Sequence, residues 1–203
     1  LASEKRVCSY LDVPLQHTSD RILKLMNRGM ANEDIMALVG RVRRKVPGVA
    51  LRTSLIVGFP SETREEFRAM CDAVRDLCFD RLGVFAYSRE EGTRAYNFRG
   101  QISAKVKQER LETLMALQQE ISRVLLKKKT GKTLEVMVDE RRSGTKVYVG
   151  RTACDAPEVD GHVFLSARAP LVPGQIVRCR ITKSFDHDLA AEVVYHEQAV
   201  VGL

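Results

Sequence analysis

Tryptophan is absent from these 203 residues, and no two of the five cysteines form a CxxC or CxxxCxxC pair. The odd, scattered set Cys8, Cys71, Cys78, Cys154 and Cys179 argues against the disulfide framework of a secreted domain. It assembles no metal site. Cys71 and Cys78 share a helical stripe with Phe67, Met70, Val74 and Leu77 and are expected in a core. No apolar run approaches the roughly 18–20 residues of a membrane span, and no charged-then-apolar leader opens the chain. A cytoplasmic protein without membrane contact is expected. Missing too are a Walker loop, a nucleotide GxGxxG, a Ser-His-Asp set and the paired carboxylates of a hydrolase. The first residue is Leu1 rather than methionine, which suggests a cut through something larger.

Charge is abundant but unevenly placed. The net charge is +7, and residues 1–127 carry 22 Lys and Arg against 16 Asp and Glu, while residues 128–203 carry 11 against 10. Much of the surplus, including Arg41, Arg43, Arg44 and Lys45, reads as solvated helix face rather than a polyanion patch.

Two hydrophobic periods divide the chain. Up to Lys127, strand-like runs at Leu11–Leu15, Ala50–Gly58 and Arg81–Tyr87 alternate with helical text at Ser19–Asn27, Asn32–Val46 and from Thr63. Thr63-Arg64-Glu65-Glu66 is a capping box, in which hydroxyl and carboxylate satisfy orphan amides at the helix start. Ser54–Phe59 is nearly continuous in apolar residues, as strands buried on both faces should be. A loop, Ser88–Gln101, leads to a long amphipathic helix marked by Leu111, Leu114, Met115, Ile121, Val124 and Leu125. Beyond Lys128 the period becomes two: Thr133–Val138, Lys146–Arg151, Val163–Leu165, Gln175–Thr182 and Leu189–Val194 alternate between turn residues. The expected fold is α/β followed by all-β. Part of a parallel βα barrel spans 1–127, and a small five-stranded antiparallel OB-like barrel spans 128–197. Three parallel strands cannot close a barrel, so further βα units are expected upstream of Leu1.

Active sites of parallel βα folds lie at the C-terminal strand ends. Those ends read Gln16-His17-Thr18, Gly58-Phe59-Pro60-Ser61-Glu62-Thr63 and Tyr87-Ser88-Arg89-Glu90-Glu91-Gly92-Thr93. Each offers polar side chains or glycine to one mouth, a rim suited to an elongated polar cofactor. Gly58 permits close backbone approach, and the helix after Thr63 offers free amides. Taken singly, Gln16 and His17 also suit strand and helix capping, and Gly58-Phe59-Pro60 suits an ordinary turn.

LDVPLQHTSDRILKLMNRG (11–29), LRTSLIVGFPSET (51–63) and GVFAYSREEGTRAY (83–96) resemble the later strands of the radical S-adenosylmethionine (SAM) methylthiotransferases. The second half resembles their TRAM domain. Within it, GRTACDAPEVDG (150–161) is similar to the RimO-type branch, which methylthiolates an aspartate of a small-subunit ribosomal protein. The resemblance implies the C-terminal half of a split (β/α) barrel, an enzyme using SAM and two 4Fe-4S clusters, and further N-terminal domains of the same enzyme. The cluster cysteines of the family belong to those domains and are not in this chain, so the chain alone is expected to be inactive. By position, Gln16 and His17 match the family's PLQH motif, Arg52 and Ser54 its polar residues on the next strand, Gly58 its GFPGET turn and Tyr87 its YS ending. These are expected to contact or support SAM; no catalytic residue and no metal ligand is assigned. Ser61 stands where that turn usually has glycine. If the backbone there has positive φ, serine costs about 1 kcal/mol.

The TRAM-like half has a charge balance of only +1 and four aromatics, Tyr148, Phe164, Phe185 and Tyr195. That is little driving force for phosphate neutralisation or base stacking. Its acidic loop, with Asp155, Glu158 and Asp160, suits a basic ribosomal protein better than tRNA. A tRNA adenosine methylthiotransferase and a non-catalytic RNA- or protein-binding module are the alternatives.

Overall fold

The computed structural model describes residue 4, residues 6–145 and residues 147–195. Leu1, the expected strand start Lys146, and residues 196 and 197 of the expected second domain lie outside the described residues. Contacts divide the chain into two units, Leu1–Ser122 and Arg123–Leu203.

In the first unit β1 (Tyr10–Asp12), α1 (Asp20–Leu25), α2 (Asn32–Lys45), β2 (Ala50–Val57), α3 (Arg64–Leu77) and β3 (Arg81–Ala86) follow in order. A 3-10 turn, Arg94–Asn97, precedes α4 (Ala104–Lys127), whose last residues go with the second unit. The strands form a parallel sheet of order β1-β2-β3. β1 is shorter than Leu11–Leu15 because Pro14 has no N–H for the ladder. The Thr53 hydroxyl fills the gap: it donates to the Val13 carbonyl (2.8 Å) and accepts from the Leu15 amide (3.3 Å). Pairing then resumes for one residue, Gln16 opposite Leu55.

β2 is buried at alternate positions rather than continuously. Leu51, Leu55 and Val57 join Leu23, Ile35, Val39, Met70, Val74 and Leu77 in one core. Arg52, Ser54 and Ile56 face the other way, with Asp12 beside Arg52, Gly83 beside Ser54 and Phe85 beside Ile56. Phe85 is 54% exposed. One face of this sheet is packed and the other is open. Cys71 is buried as expected, whereas Cys78 caps α3 in the left-handed conformation and is half-buried.

The second unit is a closed barrel, β4 (Thr133–Arg141), β5 (Val147–Thr152), β6 (Val163–Ser166), β7 (Ile176–Ser184) and β8 (Leu189–Val193), in the order β4-β5-β6-β8-β7. All neighbours are antiparallel except β6 and β8, which are parallel. An odd number of strands in a closed ring cannot alternate direction throughout, so one parallel pair is a topological necessity. Val136, Val138, Val163, Leu165, Cys179, Ile181, Leu189 and Ala191 fill the barrel. Gly150 and Gly161 are required by close approach: a Cβ at Gly150 would collide with the Met137 carbonyl, and one at Gly161 with the His187 carbonyl. Among the described residues no helix is long and apolar enough to cross a membrane.

Candidate functional site

The three strand ends of the first unit surround a cleft of about 370 Å³. Gln16, Ile56, Phe59 and Tyr87 line it, with Leu25–Arg28 after α1 on one side and Thr93–Ala95 on the other. Gln16 has φ +74°, which costs an L-residue roughly 1–2 kcal/mol. β2 holds it there from both sides, since the Gln16 amide donates to the Ser54 carbonyl (2.8 Å) and its carbonyl accepts from the Ile56 amide (2.8 Å). Strain at a cleft residue, fixed by its neighbours, is the pattern of a functional rim.

Tyr87 continues β3, its amide donating to the Val57 carbonyl at 2.9 Å. Phe59 meets Tyr87 edge to face with ring centroids 5.2 Å apart, and Phe98 at 6.0 Å. The Tyr87 hydroxyl is buried without a hydrogen-bond partner among the described residues. Burial pushes its pKa up, so it stands as a protonated donor at neutral pH.

The other expected site residues do not line this cleft. His17 is fully buried: Nδ1 accepts the Ser19 amide (2.9 Å), and Nε2 lies 3.7 Å from Glu62 Oε2. Glu62 is also buried. Its Oε2 accepts the Gly58 (2.6 Å) and Phe59 (3.2 Å) amides, and its Oε1 accepts from Arg110 of α4 (2.6 Å). Gly58 has φ +73°, but the space where its Cβ would stand is filled by the Lys107 side chain. Gly58 therefore opens room for α4, and its amide is already engaged. Arg52 pairs with Asp12 on the open sheet face, where Ser54 also lies.

Ser61 has φ +65°, as a glycine-type turn position requires. Arg21 donates to its hydroxyl (3.0 Å) and its carbonyl (2.8 Å), and also to Glu66 (2.6 Å). The capping box at Thr63 is present, with Glu66 accepting the Thr63 amide. Burial raises the Glu66 carboxyl, but hydrogen bonds from Arg21, the Thr63 amide and Ser19 outweigh it and hold the pKa down at about 2. Glu62 was named in the sequence only as part of a turn, and Lys107 and Arg110 carried no signal beyond charge on an amphipathic helix.

In the second unit a cleft of about 310 Å³ is lined by Asp139, Glu140, Val149, Arg151, Ala156, Pro157, Glu158, Gly161 and His162. The acidic loop is not uniformly presented to it. Asp155 is buried, accepting from the Thr152 amide (3.1 Å) and hydroxyl (2.5 Å). Asp160 accepts the Ala156 amide (2.8 Å). Both carboxylates engage their own loop, because each amide that the tight chain reversal turns away from the ladder needs an acceptor. Glu158 faces outward, and Asp139 and Glu140 of β4 supply acids the loop reading missed. Among the described residues no group of three His, Cys, Asp or Glu side chains is placed to hold a metal ion.

The radical SAM superfamily model matches residues 1–74, and the TRAM domain model matches residues 130–194. Curated relatives named ribosomal protein uS12 methylthiotransferase RimO match almost the whole chain. That of Desulforudis audaxviator is 44% identical over 96% of this chain and 43% of its own length. That of Geobacter sulfurreducens is 46% identical over 96% and 43%. That of Clostridioides difficile is 45% identical over 93% and 42%. The chain thus spans less than half the length of these relatives. A solved structure, coproporphyrinogen III oxidase (HemN) from Escherichia coli, described as a radical SAM enzyme, is similar over 71% of this chain and 41% of that one, with TM-score 0.49 and 18% identity. The motifs at the strand ends, the TRAM match over the closed barrel and relatives that align with almost the whole of this chain converge: the chain is similar, nearly end to end, to part of the RimO-type radical SAM methylthiotransferases.

Proposed function

We propose that this chain forms the later part of the SAM pocket and the substrate-binding domain of a methylthiotransferase acting on an aspartate of a small-subunit ribosomal protein. SAM, when bound, supplies a sulfonium that carries methyl and adenosyl groups. The cleft fits such a molecule: apolar Ile56 and aromatic Phe59 and Tyr87 offer surfaces to a flat ring, while the Gln16 side-chain amide and the orphaned Tyr87 hydroxyl supply hydrogen-bonding groups. That unpartnered hydroxyl on a cleft-lining residue is the observation that carries the reading. A buried hydroxyl without an acceptor is costly, and a small turn of the Tyr87 ring toward a polar ligand in the cleft would remove the cost. His17 and Gly58 support the wall from behind. Arg52 and Ser54 face what further strands would enclose.

The residues present do not fit a 4Fe-4S cluster. Such clusters need several convergent thiolates, whereas Cys71 is buried with burial pushing its pKa up, Cys78 donates to the Arg75 carbonyl, and Cys8 is remote from both in sequence. The cytoplasmic location expected from the sequence goes with a ribosomal substrate.

For the second unit, Glu158 and Glu140 beside Val149 and Pro157 suit a basic protein segment, whose Lys and Arg stems are apolar and whose heads are cationic. Phosphate binding would require a basic groove, and this cleft holds a single arginine, Arg151, already paired with Asp139.

Calorimetric titration with SAM tests the first part. Y87F is expected to weaken binding about 2–10-fold, the worth of one hydrogen bond; equal affinity of the two proteins would remove Tyr87 from the site. Salt-dependent binding assays test the second: tight, steeply salt-sensitive binding to tRNA with none to the ribosomal protein would overturn it.

A further inference from the structure

Two cations one turn apart on α4 reach two of the three strand-end turns of the cleft, those after β2 and β3. The Lys107 ammonium donates to the Tyr87 carbonyl at 2.7 Å and lies 4.9 Å from the Tyr87 ring centroid, while its stem fills the space beside Gly58. Arg110 donates to Glu62 Oε1 at 2.6 Å and to the Glu62 carbonyl at 3.3 Å, with its guanidinium over the Phe67 ring at 5.4 Å. Glu62 in turn holds the Gly58 and Phe59 amides. One cation thus grips the turn that carries Tyr87, and the other grips, through a buried carboxylate, the turn that carries Phe59.

We propose that Lys107 and Arg110 are positioning residues that clamp the ends of β2 and β3 together and so fix the Phe59–Tyr87 aromatic pair. The pair forms part of the cleft wall, and its geometry decides whether a flat ring finds its contacts. Several features make this more than surface decoration. Gly58 leaves a slot that the Lys107 stem occupies, and the left-handed backbone there accepts no Cβ without strain. The Arg110–Glu62 pair is 11% and 0% exposed, so its bonds act with little solvent screening. The carboxylate is bonded at both oxygens, which makes it a rigid link rather than a loose tether. The residues lie at i and i+3 on one helix, so a single rigid element sets both turns at once. The ligand side of the inference rests on the SAM reading above; the geometric side does not.

Phe- and Tyr-labelled NMR of this chain tests it directly, read as NOEs between the Phe59 and Tyr87 rings, with SAM calorimetry and thermal melting on the same samples. Lys107→Met keeps the stem and removes the ammonium; Arg110→Met removes the guanidinium, and Arg110→Lys restores a charge without the fork. Each Met variant is expected to weaken the ring–ring NOEs, their combination to abolish them and to weaken SAM about tenfold or more. Arg110→Lys should recover part of the loss. A folded double variant with undiminished NOEs, or one that binds SAM within twofold of the parent, overturns the clamp. If the double variant does not fold, the single variants decide by the same NOEs. A parent chain that does not bind SAM, while the NOEs respond as described, overturns the SAM reading and leaves the clamp standing.

Discussion

Ser61 holds φ +65° without the freedom of glycine, and its hydroxyl accepts a hydrogen bond from Arg21. Two effects of similar size oppose each other: left-handed strain of about 1–2 kcal/mol and a partly exposed hydrogen bond of about 0.5–1.5 kcal/mol. S61G relieves the first and loses the second, so its stability is expected within about 0.5 kcal/mol of the parent. S61A keeps the strain and loses the bond, and is expected to cost about 0.5–1 kcal/mol. Urea unfolding of both variants checks this; an S61A as stable as the parent would show that the hydroxyl bond contributes nothing. The same attention to backbone explains the acidic loop. Asp155 and Asp160 look like surface charge in the sequence, yet both cap amides of their own turn. Whether a loop carboxylate meets solvent or a backbone N–H depends on φ and ψ, which composition does not carry.

At the scale of elements, α1 and α3 are joined at their N-terminal ends. Ser19, the N-cap of α1, donates to Glu66, and Arg21 of α1 bonds the same carboxylate, which also closes the capping box of α3. The box was legible as Thr63-x-x-Glu66, because its partners are neighbours in sequence. Arg21 and Ser19 were not, because only folding brings them to α3. The Glu66 pKa, held at about 2 against an ordinary 4.5, sets the sign of its contribution. A depressed folded pKa means the unfolded chain binds the proton more readily. The stabilisation is therefore complete above about pH 4.5 and is lost as pH falls through about 2. Arg21 is about half exposed, so solvent screening reduces the effect, and E66Q is expected to cost roughly 1–2 kcal/mol at pH 7. The gap between E66Q and parent should narrow as denaturation is measured at pH 4, 3 and 2. A gap that stays constant over that range would assign the loss to packing instead of charge.

At the scale of the whole molecule, the two units meet different edge conditions. The barrel is a closed ring with its own core, so no strand of it presents an unpaired ladder. The sheet β1-β2-β3 is open, with outer edges on β1 and β3 unpaired by any described strand and Phe85 half exposed on one face. Residues 123–195 alone are expected to give a monomer with a cooperative thermal transition. Residues 1–122 alone are expected to self-associate through their edges and open face. Size-exclusion chromatography of both segments checks this; a monodisperse, monomeric first segment would show that the open sheet is adequately protected as it stands.

Local patterns in the sequence by themselves determined the alternation of strand and helix, the change of period after Lys127 and the capping box. Each is set by residues within a few positions of one another, through helical or two-residue periodicity and the reach of a side chain to a neighbouring amide. The motif resemblance added the family. Tertiary structure alone decided that Gln16 and Tyr87 share a cleft while His17 turns inward to Glu62, and that Lys107 fills the slot beside Gly58. It alone made β6 and β8 parallel and turned Asp155 inward. These are meetings between residues far apart in the chain, fixed by how ladders close and helices pack, and no spacing along the sequence encodes them.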